Sequence, residues 1–455
     1  MMTHLHILGL SGTFMSALAL IARDAGFKVT GSDANCYPPV SDLLAAKGIS
    51  WTEGYDDSTQ ALQADLVVVG NAIKRGMPVL EAVIEAGKNY TSGPQWLAEH
   101  ILPRYKVIAV AGTHGKTTTT SMIAWILDHA GFNPGFLIGG VATDFNTSAR
   151  LGTGAWFVIE ADEYDSAFFD KRPKFMHYRP RIAVLNNLEF DHADIYPDLA
   201  AIQQQFHFLL RTIPASGVAI KPRNDKALNE VLARGTYSRL EELSLMGDAD
   251  WAAELLNDSG SAFKVLHQGR VVAEIHWNLI GRFNVENALA AVAASANAGV
   301  NPEVAAKALE LFTPVKRRLE VKSDRHGITV YDDFAHHPTA ITKTIDALIR
   351  SKRHQRIFAV MEFASYTMRT GVHAGEMAHA LAPVDGAFIL EPQDFDLNPS
   401  LKAWTCPYKI CRDNNEIVNE ITGVLRAGDA ILVMSNRGFN GIHHQLVQSI
   451  DHRFS

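Results

Sequence analysis

A lysine framed by two glycines is the first chemical signal in the chain. The run Ala111-Gly112-Thr113-His114-Gly115-Lys116-Thr117-Thr118 follows an apolar stretch, Lys106–Val110, and precedes a helical pattern, Thr117–Ala130. Strand, loop and helix in that order make a phosphate cradle. Glycines let successive N–H groups turn inward, and the helix amino terminus adds partial positive charge. Lys116 then reaches the β/γ-phosphates of a nucleoside triphosphate, and the Thr117 hydroxyl ligates Mg²⁺. The strict pattern wants glycine where this chain has Val110. A glycine-rich turn with a chance Lys-Thr is the bland alternative; the position between strand and helix argues against it.

Other reactive side chains stand where further strands should end. Val158-Ile159-Glu160 closes an apolar run in an acid, with Asp162, Glu163 and Asp165 just beyond it. In open α/β sheets ligands bind past the carboxyl ends of strands, so Glu160 can share the ion that Thr117 touches. A second run, Ile182–Leu185, leads through Asn186-Asn187-Leu188-Glu189-Phe190-Asp191 to His192, a candidate second metal ligand or else a hydrogen-bonded turn. Asn284 and Asn287 share a helix face at i and i+3. They can read a purine edge, or Asn284 can simply cap the helix. Arg317 and Arg318 are either a solvated hinge or cations entering a phosphate site from a neighbouring unit. Asp333 ends another strand, ahead of Phe334-Ala335-His336-His337-Pro338, where His337 is a candidate general base and a His-His metal pair the lesser alternative.

A separate glycine cluster lies near the amino end. Leu5–Leu8 runs into Gly9-Leu10-Ser11-Gly12, and a helix starts near Thr13. The dinucleotide fingerprint G-x-G-x-x-G fails, because Ser11 and Phe14 stand where glycine is wanted. Asp33, about twenty residues on, is placed to hold a ribose hydroxyl. A pyrophosphate-bearing nucleotide on that helix terminus fits better than NAD.

The elements that must position these groups read as α/β throughout. Short β-branched runs (Lys28–Thr30, Leu66–Gly70, Trp156–Ile159, Arg356–Met361, Ala387–Leu390 and Ala430–Met434 among them) alternate with amphipathic stretches such as Phe14–Ala25 and Asn284–Ala298. That pattern predicts parallel sheets covered on both faces. Residues 223–277 look antiparallel or irregular. Breaks near Pro103 and Pro314 divide the chain into units 1–104, 105–314 and 315–455.

Composition narrows the function. With 455 residues, 42 Lys+Arg against 49 Asp+Glu and a net charge of −7, the chain is no phosphate-backbone binder, so no nucleic-acid partner is expected. At 47% hydrophobic it is not disordered. Cys36, Cys406 and Cys411 read as free thiols of a reducing cytoplasm. No apolar run reaches the roughly 18 residues of a membrane span. No oligomeric state is implied, and a monomer suffices.

Taken together and in this order, Gly112–Thr118, Glu160-Ala161-Asp162-Glu163, Asp191-His192, Asn284/Asn287, Arg318-Leu319-Glu320 and Asp333–Pro338 resemble the Mur ligase family, the ATP-dependent amide-forming enzymes of bacterial wall-precursor synthesis. The resemblance covers essentially the whole chain. It implies three domains: a Rossmann-like UDP-binding domain, a central P-loop ATPase domain with a mostly parallel sheet, and a Rossmann-like carboxyl-terminal domain. It assigns Gly112 to Thr118, Asn284, Asn287, Arg318 and Asp333 to ATP, and Thr117, Glu160 and His192 to Mg²⁺. Gly9, Ser11, Gly12, Thr13 and Asp33 go to the UDP-sugar. Residues 31–39, 92–97, 160–171 and 186–195 are similar to a branch that joins UDP-N-acetylmuramate to the tripeptide L-alanyl-γ-D-glutamyl-meso-diaminopimelate, recycling wall peptide. The sister branch takes free L-alanine instead. A nucleotide-driven switch protein and an NAD oxidoreductase are rivals from other classes. Arg369 is a candidate for a peptide carboxylate. One departure stands out: where several family members carry a carbamoylated lysine, this chain has Phe206 within Gln203-Gln204-Gln205-Phe206, so no carbamate is expected.

Overall fold

A run that is apolar on every residue, such as Ile182–Leu185, cannot face water on either side and is buried throughout. His4–Leu8 and Asp429–Met434 are also buried along their whole length, with their polar residues His4, His6 and Asp429 paired to Thr30, Ser32 and Arg356. The computed structural model describes residues 2–38, 40–364, 368, 374–392, 396–397 and 401–454. Among them the strands form three sheets.

The amino-terminal sheet is parallel, in the spatial order Ser50–Glu53, Lys28–Asp33, His4–Leu8, Leu66–Val69, Tyr90–Ser92. Lys28–Asp33 extends three residues past the expected Thr30. Gly31 pairs with Ile7 and Ser32 with Leu8 there, and a Cβ on Gly31 would come within 2.8 Å of the Ile7 carbonyl oxygen. Close backbone approach explains a glycine that strand propensity disfavours.

The central sheet places Lys106–Ala111 between Ile182–Leu185 and Trp156–Glu160, all parallel. Residues 223–277 correct the expectation in part. Lys226–Ala233 is a helix capped by Asp225, whose side chain accepts from the Leu228 N–H, and Arg239–Ser244 continues the parallel sheet. Within that stretch Ala262–His267 and Arg270–His276 add antiparallel strands at one edge of the sheet, and Thr147–Arg150 is antiparallel at the other. In the carboxyl-terminal sheet Ile328–Asp333, Asp429–Met434 and Arg356–Glu362 are adjacent and parallel, with Glu320–Arg325 antiparallel at the edge.

A single apolar cluster runs from Leu5, Leu18 and Trp96 through Phe157 to Phe206, so the first two domains share a core. The helix Thr13–Asp24 packs on the hairpin made by Gly135–Ala142 and Thr147–Arg150. The carboxyl-terminal domain builds its own clusters and meets the centre through Ile280 and Phe283.

Candidate functional site

The phosphate loop leaves strand Lys106–Ala111 and enters helix Lys116–His129 through Gly115, which holds φ +79°. A left-handed residue there lets the loop close without a Cβ clash. Any Cβ on Gly115 would sit 2.5 Å from Asn287 Oδ1 and 2.8 Å from Asn186 Nδ2. Neighbouring loops pin the cradle from outside. His114 N–H donates to Asn187 Oδ1 at 2.8 Å, Thr113 N–H to the Asn187 carbonyl at 3.3 Å, and Asn186 Nδ2 to Thr119 Oγ1 at 3.0 Å.

Lys116 enters a dense acidic cluster. Its Nζ donates to Glu163 Oε2 at 2.7 Å and lies 3.5 Å from Asp162 Oδ1. Burial pushes the ammonium pKa down, but Glu163 and Asp162 more than offset that, and the net shift is upward. Thr117 Oγ1 donates to Glu160 Oε1 at 3.2 Å, and Glu160 Oε2 accepts the Gly139 N–H at 2.7 Å. Burial holds the Glu160 carboxyl above its ordinary value despite Lys116. His192 Nε2 stands 3.3 Å from Glu163 Oε1; burial lowers its pKa, yet Glu163 and Asp191 carry it up to about 9.

Arg318 arrives from the third domain. Arg317 and Leu319 flank it with φ +64° and +50°, so the turn is left-handed on both sides. Asp333 maintains this turn by accepting the Leu319 N–H at 2.7 Å and the Ala335 N–H at 2.8 Å. The Arg318 guanidinium consequently donates to Thr117 Oγ1 at 3.2 Å. At the amino end Asp33 behaves similarly, accepting the Ser11 N–H at 2.8 Å and the Asn35 N–H at 3.0 Å. Asp33 was expected at a ribose and Asp333 at the ribose or neighbouring phosphates of ATP. Each builds a turn, and a ligand would meet its remaining lone pairs.

A cavity of about 1210 Å³ is lined by Thr13, Lys116, Glu160, His192, Arg318 and Asp333 among others from all three domains, while Gly9, Ser11, Gly12 and Asp33 are not among its lining residues. Gly9, with φ +81°, donates its N–H to the Ser32 carbonyl, and Gly12 precedes helix Thr13–Asp24, leaving Gly12 and Thr13 exposed at its start. Asn284 and Asn287 both line the cavity, though not as two open amides. Asn287 Oδ1 accepts from Thr119 Oγ1 at 3.1 Å and Asn284 Nδ2 donates to the Ile280 carbonyl at 2.8 Å. Capping by Asn284 does not occur, because the helix Arg282–Ala298 begins after Gly281. Thr118 is buried as the third residue of the phosphate-loop helix.

Family models match in the same order as the sheets: the Mur ligase family, catalytic domain over residues 4–105, the Mur ligase middle domain over 110–295, and the Mur ligase, glutamate ligase domain over 317–437. The chain belongs to the Mur ligase family. It is 48% identical over 453 residues to the UDP-N-acetylmuramate–L-alanyl-γ-D-glutamyl-meso-2,6-diaminoheptandioate ligase of Haemophilus influenzae, with 99% of each chain covered. A crystal structure of a murein peptide ligase from Psychrobacter arcticus superposes with TM-score 0.77 and 45% identity, covering 98% of each chain. The UDP-N-acetylmuramate–L-alanine ligase of Desulforapulum autotrophicum is 32% identical over 445 residues, 95% of each chain. Among the described residues of this Mur ligase no helix is long and apolar enough to cross a membrane.

Several residues of the ligase site carried no assignment in the sequence. Glu163 takes Lys116, Lys174 takes Asp162 at 2.5 Å, and Asn186 and Asn187 brace the loop. Their signal was position, since all but Lys174 directly follow strands beside the phosphate-loop strand. Arg369 lies outside the described residues. The donor set fits a Mg²⁺ ion: Thr117 Oγ1 and Glu160 Oε1, both hard oxygens, face one cavity beside the phosphate loop. Phe206 offers no ligand and is fully buried, its ring 5.4 Å from that of Phe175.

Proposed function

We propose that this Mur ligase couples ATP cleavage to amide formation between UDP-N-acetylmuramate and L-alanyl-γ-D-glutamyl-meso-diaminopimelate, in cytoplasmic recycling of wall peptide. One observation carries the catalytic part. Lys116, Thr117, Glu160 and Arg318, from two domains, converge beside a glycine cradle in a cavity that also reaches Thr13 of the amino-terminal domain. The peptide acceptor is supported by the 48% identity to the ligase of that name, against 32% to the L-alanine ligase. Domain limits near residues 104 and 314 belong to the same reading.

A free carboxylate resists attack because its oxygen leaves poorly. Its oxygen attacks the γ-phosphorus of ATP, ADP departs, and the resulting acyl phosphate accepts the peptide amine with loss of phosphate. Lys116 and Arg318 would neutralise charge on the transferring group, and the loop N–H groups would hold it in line. Thr117 and Glu160 would hold a Mg²⁺ ion, which adds further charge neutralisation at the phosphates. His337 would take the amine proton. Its Nδ1 lies 3.4 Å from Glu189 Oε2, which orients the ring toward a cavity it lines. Gly9, Ser11, Gly12 and Thr13 would seat the UDP-sugar pyrophosphate at an open helix start.

Phosphate release is measured with UDP-N-acetylmuramate, ATP and Mg²⁺, supplying either the tripeptide or L-alanine. Release is expected only with the tripeptide. Comparable release with L-alanine would replace the acceptor assignment with that of the sister branch.

A further inference from the structure

Two histidines from different domains meet on one carboxylate oxygen. Glu189 Oε2 lies 3.3 Å from Nε2 of His114, in the phosphate loop, and 3.4 Å from Nδ1 of His337, at the start of the third-domain helix Pro338–Ser351. As ion pairs these contacts are long, since a charge-assisted N–H···O⁻ bond closes to about 2.7–2.9 Å. As edges of a coordination tetrahedron they fit. Metal bonds of about 2.1 Å at the tetrahedral angle set neighbouring donors about 3.4 Å apart. The three donor atoms all lie within 4.8 Å of one another, with the two imidazole rings tilted by 48°.

We propose that His114, Glu189 and His337 bind a Zn²⁺ ion, which inhibits amide formation by clasping the phosphate loop to the third domain. Two imidazoles and a carboxylate suit zinc, whereas Mg²⁺ takes oxygen ligands, so this site is chemically distinct from Thr117 and Glu160. The imidazole-to-imidazole edge closes as the partly exposed His114 ring turns inward. The ligands are already braced. The Glu189 N–H donates to Thr113 Oγ1 at 2.9 Å, the His114 N–H to Asn187 Oδ1 at 2.8 Å, and the Thr339 hydroxyl to Glu189 Oε2 at 2.7 Å. His337 Nδ1 accepts the Thr339 N–H at 3.4 Å, a bond weak enough to yield that lone pair to a metal. All three residues line the large cavity, where water can take a fourth position. His336 is turned elsewhere, its Nδ1 3.0 Å from the Phe334 carbonyl, so the histidines that meet are not the pair adjacent in sequence. Inhibition rests on the reading of His337 as the base. With Nδ1 on zinc and a proton on Nε2, the ring has no lone pair left for the amine proton.

The test uses the full chain without an affinity tag or nucleotide. Zn²⁺ is followed by competition with a chromophoric chelator, and Co²⁺ by its visible ligand-field bands. Wild type is expected to hold a Zn²⁺ ion that excess Mg²⁺ does not displace, and Co²⁺ in its place should give the bands of a four- or five-coordinate ion. Glu189→Gln and His337→Ala should each weaken this binding at least about tenfold, while His192→Ala, on the separate cluster with Glu163, should keep it. Glu189→Gln preserves side-chain size, so that arm stands even if His337→Ala fails to fold. Undiminished binding in either folded variant, or its loss in His192→Ala, would overturn the site. In the ligase assay with excess Mg²⁺ and buffered Zn²⁺, phosphate release should fall in step with occupancy and return on chelation. Full occupancy with undiminished release would overturn the inhibitory role. No release before zinc is added would instead overturn the ligase reading beneath it.

Discussion

The Thr339 hydroxyl donates to Glu189 Oε2 at 2.7 Å, and the two residues belong to different domains. The same oxygen lies 3.3 Å from His114 Nε2 in the phosphate loop and 3.4 Å from His337 Nδ1. Burial pushes the Glu189 carboxyl up, but the His114, Thr339 and His337 contacts outweigh it and hold the pKa at about 2. One carboxylate thus ties the nucleotide loop to the helix Pro338–Ser351 that carries the third domain onto the centre. Thr339→Val removes the donor without altering charge. It is expected to lower kcat about tenfold, equivalent to about 1.4 kcal/mol, with the KM for ATP within about twofold. An unchanged kcat would show that the contact does not govern docking.

Gly115 makes a second prediction. Gly115→Ala combines a Cβ 2.5 Å from Asn287 Oδ1 with φ +79°, which costs about 1–2 kcal/mol for any other residue. Both amides it would strike are already committed to Thr119. Calorimetric ADP affinity is expected to fall by at least about tenfold. Gly423→Ala, a helical glycine with nothing within 4 Å of its Cβ, serves as the control and should leave affinity unchanged. Equal ADP binding by both variants would contradict the cradle geometry.

His6 gives a pH dependence remote from the site. It is fully buried, with Nδ1 2.8 Å from Thr30 Oγ1 and Nε2 3.0 Å from Ser32 Oγ. Burial, and secondarily His4, hold its pKa down to about 4. The unfolded chain therefore binds a proton at higher pH than the folded one. The contribution is complete above about pH 6.5 and is lost progressively as pH falls toward 4, up to about 3 kcal/mol. Urea midpoints at pH 7.5, 6 and 5 should show that decline, and His6→Gln should flatten it. Parallel declines in both proteins would place the titration elsewhere.

Much of this arrangement is legible in the amino-acid sequence because its signals are local. A fully apolar run such as Ile182–Leu185 reports burial on both faces, and glycines beside a lysine report a loop that must wrap an anion. Glu160 and Asp333 were findable because strand ends are where such sheets bind ligands. What stayed hidden depends on partners distant in sequence. Nothing near Glu163 says that it will hold Lys116 at 2.7 Å while Asp162, drawn to Lys174, stands back at 3.5 Å. Asn287 reads as an open amide until Thr119 is known to occupy it. The hold on Arg318 comes from Asp333, across a turn whose left-handed residues, Arg317 and Leu319, no propensity would suggest.

The apolar cluster common to the first two domains has one more implication. With helix Thr13–Asp24 seated on the hairpin of the central domain, the span from Gly12 to Lys116 is set by packed side chains and not by a linker. If the proposed UDP-sugar seat at Gly12 holds, that span would act as a ruler: a sugar nucleotide anchored at one end would present its acid at the other only if its own length matched, and donors of the wrong reach would be rejected before any bond is made.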